Sequence, residues 1–527
     1  MPTLERLTRE GAAGELRSVV PPLSSAAWAS FATGKNPGKH GLFDFMFPRP
    51  NSYELSIAGS GTNASKAVWD VLSENNKKVG IVGVPMTYPP SEVNGFVISC
   101  FMTPSPHSNY TFPESLKDEL TTKGLRYRPA LRESHRSGNV AKFLEEVALS
   151  TRERFETVLY LLQAKEWDLF CFVFLSPDLL QHELWRLVDP THPNHDAQEA
   201  AKHQDAICGF YSQLDEYLAH LIRAAGEDTL VILISDHGFG PATHFFHVNN
   251  WLLREGFLVP RRNPTSSMKH ALFRMGFTPM NTFRALTFLR LGWLRRYVRF
   301  GRLYRLARRL YFSFNDIDWS KTTAFSVGNW GQIYINAKEQ RPEGIVEPGR
   351  ESENLKKDIT AKLLELRDPN TGDRVIQRVM KGEELYSGVC QSFGPDIIPM
   401  TRDLEYVSFG AVDFGSNHVI EPAYGMSGHH RMNGILIVSG KHAKSGPPLH
   451  GAEITDIAPT ILYAMGIPIP LDMDGRVLIE AFTPAFSRCN TPVYTDIPSS
   501  KEASQECYTE DDVERVRARL NGMGYLG

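Results

Sequence analysis

Short runs of apolar residues alternate along this chain with longer segments in which apolar positions recur at a helical period. Four of the runs are continuous in their apolar residues, as expected for strands that helices cover on both faces. The predicted buried strands are 79–84, 169–175, 230–234 and 435–438, with helices over 140–162 and 200–225 among the segments between them. This alternation predicts an α/β fold with a doubly wound, mostly parallel sheet flanked by helices.

The first predicted element is an amphipathic helix over residues 2–10, with Leu4 and Leu7 on one face and Gly11 at its end. A doubly wound fold ordinarily opens with a strand, and the sequence offers none ahead of this helix. We therefore expect either an atypical start or a first strand that these 527 residues do not contain.

Residues 261–309 differ in composition from the rest of the chain. They hold 13 Lys and Arg residues and no Asp or Glu, interleaved with eight aromatic residues. We interpret them as part of a helical cap, an insertion over 255–385 that divides a discontinuous α/β core of residues 1–254 and 386–527. The arginines would face solvent or a substrate pocket. Two alternatives are a peripheral membrane contact on anionic lipid and a nucleic-acid surface, for which a basic aromatic patch is weak evidence.

The overall composition narrows the class of protein. A net charge of −3 and average apolar and charged fractions give no reason to expect nucleic acid as a partner. The six cysteines form no CxxC pair, which favours reduced thiols and a reducing compartment. No secretory signal is recognisable, and the longest apolar run is far shorter than the roughly 20 residues of a membrane span. We expect a cytoplasmic protein, peripheral at the inner membrane face if the basic stretch docks there.

Ser24 is the first candidate for chemistry. It follows an extended segment and opens a helical stretch that ends near Gly34. At that place we expect Ser24 to be the N-cap, with its hydroxyl beside free backbone N–H groups and the positive end of the helix dipole. A capping role alone would also explain the residue.

Two further pairs of ligand-type residues follow predicted strands directly. Asp178 and His182 come after the 169–175 strand, four apart, so that a helix starting there would turn both to one side. Asp236 and His237 come after the 230–234 strand and are followed by glycine. Carboxylate and imidazole are common ligands of zinc and manganese.

Two adjacent histidines, His429 and His430, precede the 435–438 strand. Each of these features has a structural explanation when taken alone. Their common placement at strand ends is more informative, because ligands of doubly wound sheets bind beyond the carboxyl ends of the strands.

The motifs in this order resemble the type I phosphodiesterase/nucleotide pyrophosphatase family of the alkaline phosphatase superfamily. The elements are Ser24, Thr-Gly-x-x-Pro-x-x-His-Gly at 33–41, Asp-x-x-x-His at 178–182, Ser-Asp-His-Gly at 235–238 and Gly-x-His-Arg at 428–431. The likeness extends over nearly the whole chain. It implies an alkaline-phosphatase-like fold, two divalent metal ions (zinc, with manganese as the alternative) and hydrolysis of a small-molecule phosphate diester or monoester.

The resemblance also implies roles for individual residues. Ser24 occupies the place of the nucleophile, which forms a phosphoseryl intermediate. One metal would be held by Asp178, His182 and His430, and the second by Asp236, His237 and the Ser24 oxygen. We choose His430 over His429 because the family's ligand directly precedes the arginine position, and His429 remains the alternative. Asn329 and Trp330, in a Gly-Asn-Trp-Gly turn, are candidates for contacts in the substrate pocket, although a structural turn would also explain them.

Two departures from the family pattern matter. The family carries a first-strand aspartate, usually in an Asp-Gly pair, which completes the second metal site, and these 527 residues offer no equivalent. Ala27 stands where related nucleotide pyrophosphatases carry an asparagine, so a nucleotide substrate is less strongly indicated. Sulfatases need Cys-x-Pro-x-Arg or Ser-x-Pro-x-Arg, and Ala26 and Trp28 break that pattern.

Three functions therefore compete. The first is the metal-dependent hydrolase. The second is a non-catalytic relative with an incomplete metal site that binds lipid or a protein partner through residues 261–309. The third is a phosphotransferase or mutase of the same superfamily, in which the phosphoserine passes to an acceptor other than water.

Overall fold

The computed structural model describes residues 1–49, 51–130, 139–288, 310–503 and 508–523. Its strands are β1 Ala12–Arg17, β2 Met46–Pro48, β3 Leu55–Ile57, β4 Val79–Val82, β5 Gly95–Ile98, β6 Thr111–Phe112, β7 Leu169–Phe172, β8 Leu230–Ile234, β9 Gly238–Pro241, β10 His244–His247, β11 Ala324–Ser326, β12 Ile333–Ile335, β13 Ile376–Lys381, β14 Ile397–Thr401, β15 Tyr406–Phe409, β16 Ile420–Pro422, β17 Gly428–Arg431, β18 Asn433–Gly440, β19 Leu449–Glu453, β20 Ile469–Pro470 and β21 Tyr494–Thr495. Its α-helices are α1 Pro2–Glu10, α2 Ser24–Thr33, α3 Pro37–His40, α4 Val68–Glu74, α5 Ser115–Thr122, α6 Val140–Ala164, α7 Ser176–Val188, α8 Ala197–Ala225, α9 Val248–Glu255, α10 Pro264–Arg274, α11 Pro279–Phe288, α12 Arg350–Glu365, α13 Gly382–Leu385, α14 Ile457–Ala464, α15 Pro484–Cys489 and α16 Glu510–Gly522.

Two four-stranded sheets form the core. In the first, with the order β6-β5-β4-β7, strands β5, β4 and β7 are parallel and the two-residue β6 is antiparallel. In the second, with the order β19-β1-β18-β8, strands β19, β1 and β8 run one way and β18 runs against them. All four predicted strands and the predicted mostly parallel α/β arrangement are confirmed.

Helices cover both faces of the first sheet. Successive side chains of a strand point to opposite faces, so neighbouring residues of β4 contact different helices. Ile81 of β4 packs in a cluster with α2, α4 and α14, whereas the next residue, Val82, packs in a cluster with α5, α6 and α8. The predicted helices at the start of the chain and over 140–162 and 200–225 are present as α1, α6 and α8. The fold is therefore doubly wound, as predicted.

The burial of two strands differs from the prediction. Strand β4 is fully buried, whereas every residue of β7 and β8 is only half-buried. Among the described residues, β7 pairs with β4 alone and β8 with β18 alone, and both line a cavity of about 1030 Å³. The expectation that both strands are buried was wrong because burial depends on a neighbour on each edge.

A second hydrophobic cluster lies around the sheet β11-β12-β14-β13, with Trp251 and Phe325 among its buried residues. This region contains antiparallel strands as well as the helices that the sequence predicts. The boundaries 254/255 and 385/386 stay a prediction. Within the basic stretch the structure shows α10 and α11, and residues 289–309, on which the lipid-docking prediction chiefly depends, lie outside the described part.

No helix in the described ranges combines the length and the apolar character that crossing a membrane requires.

The close approach of β1 and β19 gives a test of the second sheet. A Cβ added at Gly14 would lie 2.1 Å from the carbonyl oxygen of Leu449, so the two strands would have to separate. We expect Gly14→Ala to lower the free energy of unfolding by about 1–3 kcal/mol, measured by urea denaturation. Gly209 in α8 has nothing within 4 Å, and Gly209→Ala should raise stability by about 0.5–1 kcal/mol. Equal stability of the two variants would contradict this packing.

Candidate active site

Three elements of the core end or begin at one place. Asp178 lies in the first turn of α7, a few residues beyond the carboxyl end of β7. Asp236 and His237 follow the carboxyl end of β8, and Ser24 opens α2. The short strand β17, paired with β9, brings His430 to the same place. Strand ends and helix starts thus converge where doubly wound sheets bind ligands.

The serine hydroxyl faces the site. Helix α2 begins at Ser24 itself, and the N-cap is Leu23, so the predicted capping role of Ser24 was wrong by one residue. The Ser24 Oγ lies 3.0 Å from His237 Nε2, and the residue is buried. The helix ends with Gly34 at φ 68°, as predicted. Ser24 is therefore held by the histidine after β8 and does not cap its own helix.

Asp178 is the centre of the cluster. Its Oδ1 lies 3.6 Å from His182 Nε2, 3.8 Å from His237 Nε2 and 3.5 Å from His430 Nε2. Burial alone would raise the pKa of this carboxyl group. The neighbouring imidazoles of His182, His430 and His237 outweigh it and hold the pKa below its usual range. Asp178 is therefore a carboxylate at neutral pH.

Three imidazoles present the same nitrogen to the centre. Nδ1 of His182 lies 2.9 Å from Gly428 O, Nδ1 of His430 lies 2.9 Å from Pro22 O, and Nδ1 of His237 lies 3.1 Å from Gly238 O. Because a carbonyl oxygen only accepts, each Nδ1 is the donor, and in a neutral imidazole Nε2 then carries the lone pair. The backbone thus fixes the tautomer in which Nε2 can bind a metal.

The electrostatics of the site fit a cation. Burial, and then the nearby His237, lower the pKa of His430 to about 3, so its ring is neutral at pH 7. His182 Nε2 and His430 Nε2 are only 3.0 Å apart, and two lone pairs at that distance repel unless a positive charge lies with them. Asp236 adds a buried Oδ2 that has no hydrogen-bond partner in the described part of the chain. Burial raises the pKa of Asp236, and His237 opposes that rise.

The described ranges contain two groups of three residues whose ligand atoms all lie within 4.8 Å of one another inside each group. Asp178, His237 and His430 form one group, and His182, His429 and His430 form the other. This Asp/His donor set suits zinc and manganese. All six predicted metal and nucleophile residues come together. Asp178 and His237, which the sequence analysis assigns to different metals, are in the same geometric group, and the division into two metal sets stays a prediction.

Comparison with known proteins identifies the family of this chain. The family model of type I phosphodiesterases and nucleotide pyrophosphatases matches residues 1–385. The chain belongs to this family. The 2,3-bisphosphoglycerate-independent phosphoglycerate mutase of Cereibacter sphaeroides is 26% identical over 148 residues, which is 22% of this chain and 28% of the mutase. The matched region thus spans little more than a quarter of that relative.

One of the similar solved structures reaches a TM-score of 0.50 and supports the alkaline-phosphatase-like fold. Phosphonoacetate hydrolase from Sinorhizobium meliloti, in complex with phosphonoformate, has a TM-score of 0.50 at 14% identity and covers 87% of this chain and 88% of its own. Human ectonucleotide pyrophosphatase/phosphodiesterase 5 has a TM-score of 0.46 at 10% identity, and the match covers 91% of this chain and 92% of the human protein. Alkaline phosphatase PafA has a TM-score of 0.49 at 14% identity, and the match covers 91% of this chain and 94% of PafA. At these identities the likeness concerns the fold alone.

The two predicted pocket residues of this family member lie in different surroundings. The ring of Trp330 stacks on His429 at 4.6 Å and lies 6.4 Å from the ring of His430, so it borders the site. Asn329 turns to Asp44, which accepts from its backbone N at 2.8 Å and from its Nδ2 at 2.9 Å. A substrate contact by either residue stays a prediction.

Three buried or site-flanking residues were given no role of their own in the sequence analysis. Asp44 is buried, and burial raises its pKa to about 7 against four hydrogen bonds that lower it. Phe239 packs edge-on against His182 at 4.8 Å and His430 at 5.3 Å. Arg431 donates to the carbonyl oxygens of His429, His430, Leu404 and Pro241. Phe239 directly follows the Ser-Asp-His-Gly motif and Arg431 ends the Gly-x-His-Arg motif, and that position was the available signal.

The side chains of the Thr-Gly-x-x-Pro-x-x-His-Gly stretch make structural contacts. His40 is buried, with Nε2 2.9 Å from Ser30 Oγ and Nδ1 accepting from Leu42 N. The Lys35 ammonium binds the Asp472 carboxylate and donates to Ser499 O. These contacts fix the carboxyl end of α2, and thereby hold the helix that Ser24 begins.

The position of β17 gives a test of how His430 is held. A Cβ at Gly428 would lie 2.3 Å from Gln181 O and 2.9 Å from the Trp185 Cβ, both on α7. Gly428→Ala should push β17 away from α7 and lower zinc affinity by roughly tenfold or more, as measured by competition with a chromogenic chelator. The same substitution at Gly209 is the matched control, for which we expect unchanged affinity. Unchanged affinity in both would show that this close approach does not position the histidines.

Proposed function

We propose that this protein is a metal-dependent hydrolase of small-molecule phosphate esters that works through a phosphoseryl intermediate on Ser24. Family membership and fold support the broader class, a phosphate-ester hydrolase. The observation that carries the finer proposal is the Ser24 hydroxyl, buried 3.0 Å from His237 Nε2 inside a cluster of metal-ligand side chains.

The position of Ser24 suits attack on phosphorus. As the first residue of α2, it lies beside the free backbone N–H groups of the first turn, which can bind the anionic oxygens of a phosphate. The positive end of the helix dipole favours the same charge. His237 holds the hydroxyl, and its own Nδ1 is fixed on Gly238 O, so the Oγ has a defined direction. The phosphate would thus be bound by the element that carries its nucleophile.

The facing Nε2 atoms and the buried Asp236 Oδ2 support two divalent metal ions, and for the second ion these 527 residues supply no equivalent of the family's first-strand aspartate. Asp178, His182 and His430 would hold one ion, and Asp236, His237 and the Ser24 oxygen the other. When bound, such ions lower the pKa of a hydroxyl group and offset charge on a transferring phosphoryl group. The donor types favour zinc, and manganese would also be accepted.

The reaction that these residues support has two steps. The Ser24 Oγ forms a bond to phosphorus while the bond from phosphorus to the leaving alcohol oxygen breaks, and the hydroxyl proton is released. Water then attacks the phosphoserine, which frees phosphate, or a phosphomonoester from a diester substrate, and restores the hydroxyl. Ala27, in place of the family's asparagine, makes a nucleotide a less favoured substrate than a simpler ester.

One relative favours a second candidate. The similar Cereibacter sphaeroides protein is named a phosphoglycerate mutase, so transfer of the phosphoryl group to another alcohol is the alternative to transfer to water. The two activities differ in their product. A hydrolase releases inorganic phosphate from a monoester, whereas a transferase passes the phosphoryl group to an added alcohol. The remaining alternative is a non-catalytic relative that binds lipid or protein. It depends on residues 261–309, of which 289–309 lie outside the described ranges.

Ser24→Ala tests the nucleophile. We expect kcat toward an aryl phosphate mono- or diester to fall by roughly 10⁴-fold or more, because the attacking oxygen is gone. Ser25→Ala is the matched control: Ser25 is the next residue, fully buried, and its Oγ has no hydrogen-bond partner in the described part of the chain. Ser25→Ala should keep its activity within a few-fold.

A phosphoryl adduct gives a second measurement. Acid quenching of the parent enzyme during turnover should yield a chain heavier by one phosphoryl group, which peptide mass spectrometry places on Ser24. Retained turnover in Ser24→Ala, or an adduct on another residue, would overturn the assignment.

His182→Ala tests the metal set. Because His182 belongs to one of the two predicted sites, we expect zinc stoichiometry to fall from two to one per chain, or one of two affinities to fall by roughly 100-fold. His203→Ala is the control, since His203 is also buried on a helix but lies outside both ligand groups. Equal zinc titrations for the two variants would contradict a role of His182 in binding metal.

A further inference from the structure

His429 is a buried residue of β17 whose imidazole has no role in the proposed chemistry. The residue is 5% exposed, and neither its Nδ1 nor its Nε2 has a hydrogen-bond partner among the described residues. A neutral imidazole carries one N–H donor and one lone pair, and burying such groups without a partner is unfavourable. We therefore expect this ring to bind a group that the described residues do not supply.

A ring nitrogen of His429 lies close to those of two predicted metal ligands. One ligand nitrogen from each of His182, His429 and His430 lies within 4.8 Å of the other two. The ring centroid of His429 is 5.0 Å from that of His430 and 6.0 Å from that of His182. One imidazole from α7 and two from β17 thus surround the same place. Such a group suits a transition metal, because imidazole is a ligand that zinc, copper and nickel favour.

The space beside the ring favours a metal ion over a hydrogen-bonding ligand. Both ring nitrogens of His429 are closed to solvent. A hydrogen-bonded water or hydroxyl group needs about 2.9 Å between its oxygen and an imidazole nitrogen. Zinc lies only about 2.0–2.1 Å from such a nitrogen. An ion therefore fits where a water-sized group would not.

Asp178 contacts the same two histidines that His429 approaches. Its Oδ1 lies 3.6 Å from His182 Nε2 and 3.5 Å from His430 Nε2. Both Asp178 and His429 thus neighbour the pair of His182 and His430. The carboxylate supplies the negative charge that a buried cation needs, and the imidazoles add neutral nitrogen donors.

Ring stacking orients His429, whereas a backbone carbonyl orients each of the other three histidines. The ring of His429 stacks on Trp330 at 4.6 Å and on His430 at 5.0 Å, with angles of 25° and 21° between the planes. Trp330 is itself held by its turn, in which Asp44 accepts from Asn329 N at 2.8 Å. The plane of the His429 ring is thus fixed from both faces, and metal ligands need such a fixed orientation.

We propose that His429 is a further ligand of the first metal ion, in addition to Asp178, His182 and His430. The family resemblance assigns a single histidine of the 429–430 pair to the metal, and the geometry of this chain points to both. This role rests on the proposed function, because it concerns the first of the two metal sites proposed there.

A fourth protein ligand changes which metal the first site prefers. One carboxylate and three imidazoles match the four ligands that zinc takes in its closed protein sites. Manganese is better suited by carboxylate, carbonyl and water oxygens. We therefore expect the first site to bind zinc in preference to manganese, and His429 to be one cause of that preference.

His429→Phe tests the ligand role in the 527-residue protein. Phenylalanine keeps an aromatic ring to stack on Trp330 and removes both nitrogens. We expect the zinc affinity of one site to fall by roughly tenfold or more, and its preference for zinc over manganese to fall with it, as measured by competition with a chromogenic chelator. His203→Phe is the matched control, since His203 is also buried but lies outside both ligand groups, and its zinc affinity should not change.

X-ray absorption at the zinc edge is a second measurement and needs no substitution. With one zinc per chain, the tighter site fills first, and we expect three imidazole nitrogens around the metal in the parent protein. Two or fewer would overturn the proposal.

The outcomes separate this role from the proposed function. Zinc binding by the parent with equal affinity in His429→Phe would overturn the role of His429 and leave the proposed function in place. A parent protein that binds no zinc and no manganese would contradict both.

Discussion

The Asp178 carboxylate, 3.5–3.8 Å from the Nε2 atoms of three histidines, is the interaction on which the candidate site depends. Its partners come from α7, from the end of β8 and from β17, so that both core sheets and the β9–β17 pair must be in place before the group exists. A buried carboxylate without such partners would be strongly unfavourable. The cluster therefore links the folding of distant segments to the chemistry.

Backbone carbonyl groups orient the histidines of the site. Carbonyl oxygens of Pro22, Gly428 and Gly238 each hold one Nδ1 and turn the corresponding Nε2 inward. Such orientation is independent of side-chain conservation, because any residue supplies a carbonyl. The three acceptors lie in different segments, with Pro22 ahead of α2, Gly238 at the start of β9 and Gly428 at the start of β17.

Sequence patterns predicted what is local. Apolar runs located the four strands, and the residues directly after them placed Asp178, Asp236 and His237 at one edge, since parallel strands share that edge. Properties that depend on a neighbour in space were not accessible. Strands β7 and β8 are half-buried and each has one edge without a partner strand in the described part of the chain, and no feature of their own residues records it. The same holds for Asp44, whose burial against Asn329 joins segments 285 positions apart.

The two halves of the candidate site are carried by different core sheets. Asp178 belongs to the β7 side and Asp236 to the β8 side, and no described strand joins the two sheets between them. The distance between the two carboxylates therefore depends on the elements that pack around the sheets. Helix α7 carries Asp178 and packs against β17, and β17 pairs with β9, which begins directly after His237. The approach of Asp178 Oδ1 to His237 Nε2 at 3.8 Å is where these supports meet, so a change in the packing of α7 against β17 would change the geometry of the whole group.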